Sequence, residues 1–295
     1  MNPILEQLVS LLNMETIEEN LFRGASQDIG FRQLFGGQVL GQALSAASQT
    51  VDCSRQANSL HGYFLRAGDA QKPVIYQVER VRDGSTFSTR RVTAIQNGHT
   101  IFTCSASFHQ QEEGFFHQTQ MPDVPPPEDL IAEEDLSPLL AKALTQEKRE
   151  KMLRAKAIET RPVQVLDPLH PEACEPVKQI WFKASDTLPK SPALHKYLLA
   201  YASDFGLLTT SLLPHGASIW QPQMQVASLD HAIWFHEEVC LDDWLLYSTA
   251  SPWAGSSRGF SRGSIYTRDG RLVASVAQEG LIRSRSDWQH KGTMG

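Results

Sequence analysis

Apolar residues recur along this chain in two rhythms, one helical and one extended, and the sequence runs through both rhythms twice. Leu5, Leu8, Leu11 and Leu12 fall on one face of a short amphipathic helix. Phe35-Gly36-Gly37 opens a second helix, on which Val39, Leu40, Ala43, Leu44 and Ala47 keep helical spacing. Gly37 and Gly41 lie on that helix without side chains, so a neighbouring backbone is expected close to it. Residues 73–82, 86–96 and 99–108 read as β-strands, the last two joined by the hairpin signal Asn97-Gly98. Pro122 and the run Pro125-Pro126-Pro127 mark a connector over 118–160, and residues 139–157 read as a charged surface helix rich in Lys and Arg. Near Arg161-Pro162 the order restarts. Leu194, Leu198, Tyr201, Phe205, Leu208 and Leu212 predict one buried helix over 194–213, followed by strands and a second hairpin at Asp269-Gly270. Antiparallel strands around one long helix, twice over, make an α+β layout.

The copies also match in detail. Gly84-Ser85-Thr86-Phe87-Ser88-Thr89-Arg90 parallels Gly255-Ser256-Ser257-Arg258-Gly259-Phe260-Ser261-Arg262, each ahead of its turn. Ser59-Leu60-His61 and the Tyr63-Phe64-Leu65-Arg66 that follows parallel Ser228-Leu229-Asp230-His231 and Ile233-Trp234-Phe235-His236. A duplicated unit can keep a site in one copy while the other serves as scaffold, so function is sought where the copies differ in polarity. Asp204 sits among Ala200, Tyr201, Leu207 and Leu208 at helical spacing, whereas the matching stretch Gln42-Ala43-Leu44-Ser45-Ala46-Ala47 has no carboxylate. Asp is a poor residue for a helix interior, and a carboxylate facing a core costs several kcal/mol unless partnered. Aligning Gly98 with Gly270 sets Gln278 where the first copy has Ala106. Ser228, read as opening its strand, adds a hydroxyl. An acid, a hydroxyl and an amide together can hold and activate a water. The same comparison pairs His231 with His61 and assigns His231 a structural place.

Composition narrows the classes. The 295 residues suffice for two units, each with its own core. A net charge of -6 argues against non-specific nucleic-acid binding, and no apolar run approaches the ~20 residues that cross a bilayer. Met1-Asn2-Pro3-Ile4-Leu5-Glu6 lacks the pattern of a signal peptide, and Thr293-Met294-Gly295 is not a peroxisomal address. Cys53, Cys104, Cys174 and Cys240 are scattered without metal-ligand spacing, as expected of structural thiols in a reducing cytosol. A cytoplasmic location, no metal and no cofactor are expected.

Phe35-Gly36-Gly37-Gln38-Val39-Leu40-Gly41-Gln42-Ala43, His61-Gly62-Tyr63-Phe64-Leu65-Arg66-Ala67-Gly68-Asp69, Tyr201-Ala202-Ser203-Asp204 and Asp230-His231-Ala232-Ile233-Trp234-Phe235-His236 closely resemble the acyl-CoA thioesterase II family of bacteria. The resemblance runs from about residue 12 to 283 and implies a double hotdog fold, in which each antiparallel sheet wraps around a central helix. It implies an N-terminal scaffold hotdog over 1–117, the connector over 118–160 and a catalytic hotdog over 161–295. It implies catalytic roles for an Asp on the second helix, a Thr or Ser opening the next strand and a Gln near the C-terminus, which map onto Asp204, Ser228 and Gln278. Ser228 departs from the Thr common in the family but keeps the hydroxyl. The implied activity is hydrolysis of fatty acyl-CoA by direct attack of an activated water, with oxyanion donors at Gly36 and Gly37. Acyl-CoA is then the substrate, with no nucleic-acid partner and no membrane insertion, and the protein is expected to be a homo-oligomer, a dimer or tetramer.

Other readings are weighed against this one. Gly255-Ser256-Ser257-Arg258-Gly259 matches the nucleophile elbow of serine hydrolases, but a strand rather than a helix follows it, and only Asp269 or Asp287 with His290 could complete the order. Gly36-Gly37-Gln38 matches the tripeptide of peptide-release factors but opens an apolar helix. A hotdog hydratase or dehydratase using His231 and Asp230, or a non-catalytic acyl-CoA-binding protein, remains as an alternative. Arg66, Arg90, Arg258 and Arg262 are candidates for the CoA phosphates.

Overall fold

A computed structural model describes residues 1–30, 33–136, 146 and 156–284. Helix α1 (Pro3–Leu12) begins where the Asn2 side chain accepts from the Leu5 N–H at 2.9 Å and Pro3 supplies a preset first turn. Strands β1 (Glu15–Glu18) and β2 (Leu21–Gly24) precede helix α2 (Gly36–Ser48). Strands β3 (Arg55–Phe64), β4 (Val74–Asp83), β5 (Phe87–Gln96) and β6 (His99–Gln110) complete the first half. The second half holds β7 (Ile158–Pro162), β8 (Val177–Ala184), helix α3 (Pro192–Ser203), a 3-10 helix over Leu208–His215, β9 (Met224–Ser228), β10 (Asp230–Phe235), β11 (Leu245–Gly255), β12 (Arg258–Thr267) and β13 (Leu272–Ser284). The architecture is a double hotdog. Both predicted hairpins form, and Asn97 and Gly98 take the positive φ of 50° and 76° that a two-residue turn requires.

One continuous sheet of 13 strands results, in the order β1-β2-β4-β5-β6-β3-β10-β13-β12-β11-β8-β7, with β9 also paired to β13. The halves meet at the antiparallel seam of β3 and β10, where Leu60 faces Ile233 and Gly62 faces His231. Helices α2 and α3 pack against each other across this seam, and a single hydrophobic core runs through both halves. The cores expected to be separate are therefore shared. Helix α2 is buried on nearly every face from Gly37 to Ala47, which explains its small residues. Its amides are not left bare: Gln42 Nε2 donates to the carbonyls of Leu11 and Ala25 at 2.7 and 2.8 Å, and Tyr76 Oη donates to Gln42 Oε1 at 2.7 Å.

Three expectations change. The helix predicted over 194–213 ends at Asp204, because Gly206 adopts a left-handed φ of 73° and the chain continues as the 3-10 helix, which contains Pro214. Asp204 is thus a C-cap, free to turn its carboxylate away from the helix axis. Ser228 closes β9 instead of opening β10, with Leu229 at a break between the two strands. The connector is strapped to the second half, where Met121, Val124 and Leu130 cover Trp181, Leu246 and Tyr266, and Arg268 grips Glu128 at 2.7 and 2.8 Å. The charged helix expected over 139–157 lies almost wholly outside the described residues.

The close approach inferred from Gly37 and Gly41 is present. A Cβ at Gly41 would stand 2.9 Å from the Tyr197 carbonyl oxygen and 2.8 Å from Leu12 Cδ2. Gly41→Val is therefore expected to push α2 off α3 and lower the free energy of unfolding by about 1–3 kcal/mol. Urea denaturation measures it, and an unchanged midpoint with an unchanged slope would contradict the packing.

Candidate active site

Gln278 projects from β13 beside the break between β9 and β10, and its side-chain nitrogen is the hub of the site. Gln278 Nε2 lies 2.7 Å from Asp204 Oδ1, 3.1 Å from Ser228 Oγ and 3.2 Å from His231 Nδ1. One backbone bond and one side-chain bond hold the break: the Leu229 N–H donates to the Glu279 carbonyl at 3.0 Å, and the Glu279 N–H donates to the Asp230 carboxylate Oδ1 at 2.7 Å. The three residues picked by comparing the copies are thus in one cluster, although they come from the end of α3, the end of β9 and the middle of β13.

The other half of the molecule completes the site. The Asp204 carboxylate receives the N–H of Gly37 in the first turn of α2, and a Cβ at Gly36 would stand 2.7 Å from Asp204 Oδ2. Gly37 has no room for a side chain either, since its Cβ would clash with the Tyr201 carbonyl oxygen. The glycine pair lets the positive end of α2 approach the carboxylate. Burial raises the Asp204 pKa above the ordinary carboxylate value, and the bonds from Gln278 and Gly37 work against that rise. The carboxylate is only 6% exposed. Tyr247 is buried beside it, its phenol pushed well up by burial and by the Asp204 charge, and its Oη donates to the Ser203 carbonyl at 2.8 Å to pin the end of α3.

His231 is the residue the sequence comparison misplaced. His61, its assumed counterpart, is exposed on the outer face of β3, whereas His231 is buried on the inner face of β10. In the first half Leu60 lies across from Ala106; in the second His231 stands next to Gln278. The polar pair His231 and Gln278 therefore replaces the apolar pair Leu60 and Ala106. Burial alone pushes the His231 pKa down to about 3, so the ring is neutral and its 3.8 Å approach to Asp204 is not an ion pair. Two polar atoms of the site, Gln278 Oε1 and Ser261 Oγ on the adjacent β12, are buried without a hydrogen-bond partner.

The rejected motifs are also placed. Ser257 is exposed at the tip of the β11–β12 hairpin at a φ of 60°, with no helix after it; Asp287 and His290 lie outside the described residues. Gly36-Gly37-Gln38 starts α2. Arg90 is buried and saturated by Thr50, Arg82, Thr89 and Asp83, so it holds the first half together rather than meeting a phosphate. Arg66 donates to the Thr100 carbonyl at 2.7 Å, and Arg258 lies over the Trp253 ring beside Glu279.

Comparison with known proteins places the molecule. Residues 23–109 match the family described as acyl-CoA thioesterase N-terminal domain, and residues 148–281 match that described as acyl-CoA thioesterase. The chain is 42% identical to acyl-CoA thioesterase 2 of Haemophilus influenzae over 283 residues, covering 96% of this chain and 99% of that one. It is 42% identical to human acyl-coenzyme A thioesterase 8 over 286 residues, covering 94% and 88%. The crystal structure of acyl-CoA thioesterase II TesB2 from Mycobacterium marinum is similar with a TM-score of 0.78 and 41% identity, covering 95% and 99%. A hotdog-fold protein from Alicyclobacillus acidocaldarius, 17% identical over 94% of this chain and 98% of its own, shares the fold with a TM-score of 0.76. The chain belongs to the acyl-CoA thioesterase family.

The contact between α2 and Asp204 gives a direct test. Gly36→Ala places a methyl against the carboxylate and the Phe64 ring, and is expected to lower the rate of thiol release about tenfold or more while the melting temperature stays close to wild type. Wild-type turnover in Gly36→Ala would show that this approach does not matter.

Proposed function

We propose that the protein hydrolyses fatty acyl-CoA to free fatty acid and CoA by direct attack of a water activated at Asp204. The observation that carries this reading is the convergence of Asp204, Ser228 and Gln278 on one buried point at the N-terminus of α2. A thioester carbonyl is electrophilic and thiolate is a good leaving group, so no covalent enzyme intermediate is needed. Asp204 takes a proton from the water as its oxygen bonds to the carbonyl carbon. Ser228 and Gln278 fix the water's orientation, an entropic contribution. The N–H groups of Gly36 and Gly37, which have no partner within the first turn of a helix, are the helix-end donors for the oxyanion. When the carbon–sulfur bond breaks, the proton on Asp204 returns to the departing thiolate. Residues 1–117 then serve as scaffold and helix-end donor, residues 118–160 as connector, and residues 161–295 carry the acid, hydroxyl and amide. The reading includes a cytoplasmic location and a homo-oligomeric state, the latter measurable by light scattering on the purified protein.

The hydratase alternative loses its acid–base pair. Asp230 and His231 are adjacent in β10, so their side chains point to opposite faces of the sheet. His231 is also buried and neutral. Release of free thiol from a saturated acyl-CoA separates the readings, because a hydratase and a binding protein both give none.

Asp204 must be ionised to accept a proton, and burial raises its pKa. Turnover should therefore rise with pH along a limb above the ordinary carboxylate range. Asp204→Asn should lose about 10²-fold or more in kcat and lose that limb. A kcat–pH series on both proteins measures this, and unchanged kcat in folded Asp204→Asn removes Asp204 from the mechanism.

Direct water attack also predicts that no acyl-enzyme forms. Rapid-quench mass spectrometry with a slowly turned-over acyl-CoA should show unmodified protein and no burst of CoA. A mass increase equal to the acyl group, mapped to Ser228 or Ser257, would replace water with a serine nucleophile.

A further inference from the structure

Gln278 Nε2 has two hydrogens and three acceptors around it, and the Asp204 carboxylate, which can only accept, is the first restraint on how the amide lies. Rotated by half a turn, Gln278 would set Oε1 against Asp204 Oδ1 and Ser228 at the distances its nitrogen now occupies. The second restraint comes from a buried chain of hydrogen bonds. Ser203 Oγ lies 2.9 Å from the Ala200 carbonyl oxygen and 2.9 Å from His231 Nε2. A hydroxyl has one hydrogen and a carbonyl can only accept, so Ser203 donates to Ala200 and accepts from His231. The imidazole proton is thereby placed on Nε2, and Nδ1 is left as a bare acceptor 3.2 Å from Gln278 Nε2. Both the ring and the amide are buried, so no solvent competes for either.

From this geometry, and resting on the role given to Gln278 above, we propose that His231 is a positioning residue: its Nδ1, fixed as an acceptor by Ser203, holds the Gln278 amide with nitrogen toward Asp204 and Ser228. The ring does not exchange protons with substrate. Asp204 is the charged group that faces it, and burial keeps the imidazole neutral with a pKa of about 3, so the acceptor persists through the neutral range. The duplicated half supports the coupling of the two residues. Where the first copy has no amide, at Ala106, it has no imidazole either, and Leu60 fills the place.

The test is steady-state hydrolysis by four purified full-length variants. His231→Leu installs the side chain of the first half, His231→Asn keeps an acceptor near the position of Nδ1, Gln278→Ala removes the amide, and the fourth combines Gln278→Ala with His231→Leu. His231→Leu is expected to lose about 10²-fold in kcat with KM little changed, as misplacement of a water-orienting group should. His231→Asn should recover most of that loss. In the Gln278→Ala background His231→Leu should cost nothing further, because two residues acting through one contact are not additive. Wild-type kcat in His231→Leu overturns the proposal, as does a loss that Asn does not rescue and that persists undiminished without the amide. If Gln278→Ala is slow and His231→Leu is not, only this inference fails; if Gln278→Ala turns over at the wild-type rate, the water-orienting role of Gln278 fails with it. Should His231→Leu not fold, imidazole nitrogen shifts of the wild-type protein decide. A proton on Nε2 and none on Nδ1 is required, and a protonated Nδ1 overturns the assignment.

Discussion

The buried contact between the Asp204 carboxylate and the first turn of α2 organises the rest of this structure. A carboxylate taken out of water is tolerated only where donors replace its hydration. Here the donors are the Gly37 N–H and Gln278 Nε2, one from each half of the molecule. The first requires α2 and α3 to approach with no side chains between them, which glycine at 36 and 37 permits. The second requires β13 to carry an amide where its counterpart strand carries a methyl. Remove either donor and the charge is left under-solvated.

That contact draws on both copies of the unit. The second half supplies the acid, the hydroxyl, the amide and the imidazole, while the first supplies a helix end and a wall. Joining β3 to β10 makes one sheet and one core, so neither half presents a finished site by itself. The break between β9 and β10 serves the same end. At Ser228 and Leu229 the strand leaves its regular path beside β13, which turns the Ser228 hydroxyl toward Gln278.

Two sets of buried polar residues are set against each other by the sheet register. In the first half Arg90, Gln38 and Gln42 are saturated by carbonyls, hydroxyls and one carboxylate, and they act as internal fasteners. In the second half Gln278 Oε1 and Ser261 Oγ are not saturated. Ser261 and Gln278 face each other on β12 and β13 as Arg90 and Ala106 do on β5 and β6. The long side chain that locks one half has been replaced by a short one in the other, and unpaired polar atoms remain beside the candidate catalytic carboxylate.

The sequence by itself determined the elements whose cause is local: α1 with its leucine stripe, α2 with its apolar spacing, and the hairpins with their Asn-Gly and Asp-Gly turns. It also singled out Asp204 and Gln278, because a polar residue where the sister copy is apolar is visible in the letters alone; Ser228 entered as a hydroxyl at a strand end, and the family resemblance pointed to the same three. The end of α3 was not visible, since Phe205, Leu208 and Leu212 keep the helical period across the turn that Gly206 makes. His231 was hidden by a one-residue slip. Matching it to His61 by its neighbours sets it on the outer face, while sheet register places it inward beside Gln278, and in a strand a shift of one residue exchanges the two faces. The extra residue in Ser228-Leu229-Asp230-His231 relative to Ser59-Leu60-His61 was the one sign of that slip in the sequence. Which donor meets which acceptor was decided only by tertiary structure, because the Gly37 N–H and Asp204 are far apart in the chain and meet only when α2 packs against α3.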